Sequence, residues 1–195
     1  MKKLIILIFA LIMAVALAAC GGSQEPEEPA DPPAVEEPAE EPEEPAEEPE
    51  EPEEKTADVT LYFANNDYVE TGDEQYEFML TETRTVTYDD EICLEEAVVR
   101  ALMEGPDDEE NLSTGFPDSV ELIGVSVLDG TAYVNFSMEG LGGGSMQESY
   151  VISQTVQSLG ELGSVQRVQF LVDDQEAESL MGHISIEEPI EVTME

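Results

Sequence analysis

Residues 104–117, EGPDDEENLSTGFP, place four consecutive carboxylates, Asp107 to Glu110, directly before Asn111. Oxygen ligands at that density are what a hard cation such as calcium takes. An EF-hand loop, however, spaces its ligands, turns on a glycine at its sixth position and closes on a glutamate. Counted from Asp107, the sixth residue is Leu112, and no glutamate closes the loop. Gly105 suits a helix C-cap, Pro106 stops the helix from continuing, and Pro117 marks the approach to the next strand. The stretch is expected to be a solvated link between elements, with no metal site assigned.

Other reactive groups are sparse. A nucleophilic serine needs a base and a group to orient it. Ser137 and Ser145 are candidates, but His183 is the single histidine and no GxSxG elbow surrounds either serine. His183 is expected in a surface loop. Cys93 lies beside an apolar helical stripe and reads as a small buried side chain. Carboxylates are so numerous that no pair is singled out for glycoside hydrolysis. GLGGGS (140–145) precedes a helix, where an anion could bind, yet it lacks a P-loop lysine and has Glu139 and Glu148 close by. It reads as a flexible loop. No catalytic residue and no cofactor-binding residue is assigned.

The residue with the clearest chemistry is Cys20. The chain opens MKKLIILIFALIMAVALAAC, with Lys2 and Lys3, an apolar run from Leu4 to Ala19, and small residues at Ala18 and Ala19. That is the three-part pattern of a secretory signal peptide. The run is short of the ~20 residues that cross a bilayer comfortably. LAAC resembles a bacterial lipobox, which implies a lipoprotein signal peptide over 1–19 and a diacylglyceryl group on the Cys20 thiol. Two acyl chains hold a protein at a membrane where one binds marginally. The alternative is an uncleaved anchor helix with an incidental cysteine. Either way the rest of the chain lies outside the cytoplasmic membrane. Cys93 is then unpaired, so no intrachain disulfide staples the domain.

Residues 20–57 form the lipidated N-terminus and an acidic Pro/Glu spacer. Residues 21–54 have almost nothing apolar to bury, so disorder is expected. At roughly 3.1 Å per residue in polyproline II they reach about 105 Å, enough to lift a domain off a membrane. The formal charge of the whole chain is −41. Residues 55–195 hold 31 acids against four bases: Lys55, Arg84, Arg100 and Arg167. Such a surface repels nucleic acid and anionic headgroups, so neither is an expected partner.

Residues 58–195 suit one compact domain. DVTLYFAN (58–65) and YEFMLTETRTVTY (76–88) read as strands. In 89–105, Leu94, Ala97, Val98, Ala101 and Leu102 share one helical face. Residues 119–137 read as a hairpin about Asp129-Gly130. A helix follows to about Gly160, with Ser145 and Glu148 in capping-box spacing. Residues 164–174 read as a strand, with a further one near 190–192. The β-β-α-β-β-α-β order predicts an α+β two-layer sandwich, with two helices on one mostly antiparallel sheet.

VTLYFAN with Arg84 beyond it, EEAVVRALMEGP, FPDSVELIGVSVLDGTAYVNFS, GGGSMQESYVISQTVQSLGEL and VQRVQFLVDD follow one another over most of 58–190. In that order they resemble the GerMN domain of sporulation and spore germination proteins. Asn135 stands where the family more often has Asp. The core also looks like the ring-building motif of envelope assemblies. The resemblance implies a non-catalytic scaffold or interaction module of the cell envelope. It would serve sporulation, germination or envelope maintenance, with an envelope protein or the cell wall as partner. The alternative is a protein that binds or modifies peptidoglycan. Like-charged surfaces favour a monomer when the protein is isolated.

Overall fold

The computed structural model describes residues 53–193. Strand β1 (Lys55–Asn65) starts before the expected Asp58 and buries alternate side chains, Val59, Leu61 and Phe63. It pairs antiparallel with β2 (Met79–Tyr88), from Lys55 opposite Tyr88 to Ala64 opposite Met79. A short helix, α1 (Asn66–Thr71), lies between them. Asn65 caps it by accepting from the Asp67 N–H at 3.1 Å, and Gly72 ends it at φ 63°. No residue of α1 is buried, so it leaves no apolar period in the sequence to announce it.

Helix α2 (Leu94–Glu104) buries Ala97, Val98, Ala101 and Leu102, the expected face, together with Val99 and Glu96. It starts later than the sequence suggests. Residues 89–93 form a turn in which Asp89 accepts the N–H groups of Glu91 and Ile92, both at 2.7 Å. Those two N–H groups hold the Asp89 carboxyl below its usual range. Helix α2 ends at Gly105, where φ is 92°.

Strand β3 (Leu112–Ser113) pairs with the end of β1. Strands β4 (Leu122–Leu128) and β5 (Thr131–Phe136) form the expected hairpin. Asp129 and Gly130 are both at positive φ, 50° and 74°, as a type I′ turn requires. Helix α3 (Ser145–Gly160) crosses from β5 to β6 (Arg167–Val172), which lies parallel to β5. Strands β7 (Gln175–Glu176) and β8 (Ile190–Glu191) each pair antiparallel with β6.

The α+β class and the mostly antiparallel pairing are as expected, but the strands form two sheets instead of one. The first has the order β2-β1-β3; the second has β4-β5-β6-β7, with β8 also on β6. Helix α3 explains the division. The N–H of Tyr62, in the middle of β1, donates to Ser158 Oγ at 2.9 Å, so α3 occupies an edge where another strand would pair. Helices α2 and α3 both contact strands of both sheets. A single apolar core results, drawn from β1, α2, β5, α3 and β6, with Phe63, Phe136, Phe170, Leu102 and Leu159 fully buried.

Candidate functional site

The acidic loop is organised by Arg84, on the core side of β2. Its guanidinium pairs with Glu82 at 2.7 Å, Asp107 at 3.4 Å and Glu104 at 3.9 Å. It also donates to the carbonyls of Gly105 at 2.9 Å and Ala101 at 3.3 Å, closing the C-terminal end of α2. The Phe63 ring lies 5.9 Å from the guanidinium carbon. The second oxygen of Glu82 accepts the N–H groups of Asp107 and Asp108, at 2.9 and 3.4 Å. Asp108 in turn accepts from both the backbone and the side chain of Asn111. These carboxylates are committed to shaping a turn. Among the described residues no group of three or more His, Cys, Asp or Glu side chains is arranged to hold a metal ion.

The second charged cluster closes the edge of β4. Glu96 pairs with Arg100 at 2.7 Å, and its other oxygen accepts the Val125 N–H at 3.2 Å. Cys93, half-buried at the N-cap of α2, donates its thiol to the Val125 carbonyl at 3.6 Å. Burial pushes that thiol's pKa up, which favours the thiol over the thiolate. One residue of an edge strand thus has both backbone groups met by α2, which blunts further pairing there.

Glu148 does not form the expected capping box. The N-cap of α3 is Gly144, with no side-chain hydrogen bond, and Ser145 is already helical. The fully buried Glu148 carboxylate instead accepts the N–H groups of Met181 and His183, both at 2.8 Å, and of Ile184 at 3.2 Å. His183 sits in this loop with its ring exposed, and its Nε2 lies 3.2 Å from the Gly143 carbonyl. The glycine loop is therefore tied to the segment that follows β7. Ser137 Oγ accepts the Glu139 N–H at 3.2 Å. No hydrogen bond joins His183 to Ser137 or Ser145 among the described residues.

Asn135 is buried and reciprocally bonded. Its amide donates to the Asp174 carboxylate at 2.7 Å, and its oxygen accepts the Asp174 N–H at 3.1 Å. An aspartate there would set two carboxylates side by side, so Asn135 and Asp174 suit one another. Sequence reasoning did not single out Gln154, also fully buried. It accepts the Gly115 N–H at 2.8 Å and donates to the Ser113 carbonyl at 3.5 Å, fastening α3 to the chain after the acidic loop. Its helical spacing from the buried Val151, on the inward side of α3, was the available signal.

An open groove of about 480 Å³ lies where the β1–β2 ribbon meets α3, lined by Tyr62, Glu77, Phe78, Thr81 and Gln157 among others. The Tyr62 hydroxyl donates to Glu161 at 2.9 Å, and partial burial raises its pKa. Phe78 stacks on Tyr150 at 4.2 Å and meets Tyr68 edge-on at 5.4 Å. Burial pushes the Tyr150 pKa up to about 12.

The sequence profile of the Germane family, described as sporulation and spore germination, matches residues 60–178. The chain belongs to this family. The first GerMN domain of the sporulation protein GerM from Bacillus subtilis superposes with a TM-score of 0.55 at 16% identity, over 69% of this chain and 97% of that one. It shows that the fold is GerMN-like. The tandem GerMN domains of GerM give 0.49 at 19% identity, over 71% of this chain and 46% of the tandem. A Clostridium perfringens crystal structure, described as a lipoprotein, gives 0.48 at 23% identity, over 70% and 87% of the respective chains. No curated protein matches.

Proposed function

We propose that this Germane-family protein is a non-catalytic interaction module of the cell envelope, held at the outer face of the cell membrane by a lipid on Cys20. It serves sporulation, spore germination or envelope maintenance. The carrying observation is where the charged side chains go. Glu82, Arg84, Glu96, Arg100 and Glu148 all hold backbone or one another, fixing the acidic loop, the β4 edge and the loop after β7. They act as joints of a rigid scaffold. Cys20 and residues 1–52 lie outside the described residues, so the anchor rests on LAAC behind a short apolar run. Among the described residues no helix is long and apolar enough to cross a membrane.

Cell fractionation of Cys20→Ser tests the anchor. The variant should leave the membrane fraction, and the wild type should carry the added mass of a diacylglyceryl group. Membrane retention of the variant, with no added mass on the wild type, overturns the reading. Release of soluble fragments from purified peptidoglycan by the protein would overturn the non-catalytic assignment.

A further inference from the structure

We propose that the groove at Tyr62 and Phe78, together with the β1–β2 face leading from it, binds an uncharged sugar chain. The inference rests on the envelope reading above and names a ligand for it. The alternation of β2 turns Thr81, Thr83, Thr85 and Thr87 to the side away from the core, and all four are exposed. The register sets Thr56 opposite Thr87, Asp58 opposite Thr85, Thr60 opposite Thr83 and Tyr62 opposite Thr81. Hydroxyls therefore repeat about every 6.8 Å along β2, and Thr56 and Thr60 add two more about 5 Å across from Thr87 and Thr83, with Asp58 between them.

Charge selects among ligands. Residues 55–195 contain 31 acids, yet the eight paired positions of this face include one, Asp58. That carboxylate already accepts the Thr85 hydroxyl at 2.6 Å. A polyanion would be repelled by the surrounding surface, and a polycation would find its counter-charges elsewhere. A hydroxyl both donates and accepts, so the array matches a ligand that itself carries hydroxyls.

The groove supplies what the flat face lacks. Two aromatic rings lie among a few polar groups: the Gln157 amide, the Thr81 hydroxyl and the Glu77 carboxylate. That mixture suits a sugar, whose ring is apolar on its C–H face and polar at its rim. Both rings are held in advance, Phe78 between Tyr150 and Tyr68, and Tyr62 by Glu161. Little side-chain ordering remains to oppose binding.

The experiment is an amide-shift titration of the full chain, in micelles of a detergent without a sugar headgroup, with N-acetylglucosamine hexamer and with cellohexaose. At least one should bind, with shifts confined to Thr60, Tyr62, Phe78, Thr81, Thr83 and Gln157. Tyr62→Ala should weaken it about tenfold, since aromatic contacts contribute on that scale. Gln157→Ala and Thr83→Lys, both at exposed positions, test the site even if Tyr62→Ala fails to fold. Absence of binding at millimolar sugar, shifts centred elsewhere, or indifference to all three substitutions would overturn the proposal. Fractionation of Cys20→Ser is unaffected by that result, so failure of the glycan site and failure of the envelope reading are distinguishable.

Discussion

Glu148 keeps a carboxylate inside the protein because three backbone N–H groups replace water around it. Hydrogen bonds to a charged group each contribute about 1.5–3 kcal/mol, so Glu148→Gln, which keeps the shape but loses the charge and one acceptor, should cost about 2 kcal/mol or more. Thermal unfolding measures the cost. Hydrogen exchange gives the specific signature, faster exchange at Met181, His183 and Ile184 while the β1–β2 amides keep their protection. Unchanged exchange at those three positions would contradict the assignment. The sequence spacing of Ser145 and Glu148 pointed to a local cap, because spacing records only local partners. The actual partners lie more than thirty positions downstream, beyond the reach of any periodicity. Asn135 and Gln154 were hard to read for the same reason, whereas the positive-φ hairpin at Asp129-Gly130 was legible because its chemistry is contained in two residues.

At the level of elements, α3 is the part on which the architecture turns. It borders β1 through Ser158 and fastens the chain after the acidic loop through Gln154. Gly115 allows that close approach. A Cβ added there would lie 2.6 Å from the Tyr150 Cβ and 2.9 Å from the Val151 nitrogen. Gly115→Ala should therefore push α3 away and cost about 1–3 kcal/mol, the usual range for an overpacked contact. At about 2–4 °C per kcal/mol for a chain of this size, the melting temperature should fall by several degrees. A fall of less than a degree would mean that α3 shifts freely. Elements with a strong period, such as α2 and the β4–β5 hairpin, could be placed from the sequence. The division into two sheets could not, because it goes with the packing of α3 along β1, which brings together segments far apart in the chain, Tyr62 and Ser158 among them.

For the molecule as a whole, charge sets the terms of association. Residues 55–195 carry 31 acids and four bases, and identical copies would bring like-charged surfaces together within the ~8 Å over which repulsion survives screening at physiological salt. Sedimentation should find a monomer at moderate salt, and a stable dimer or ring there would refute this. The segment after β7 has a different consequence for the life of the chain. Its N–H groups donate to the Glu148 carboxylate, and β8 completes the border of β6. A polypeptide still emerging from the ribosome has already made the helix that carries Glu148, but not the residues that satisfy it. A chain cut short before residue 181 would lack the three N–H groups that hold Glu148, and limited proteolysis should cut it faster than the full chain.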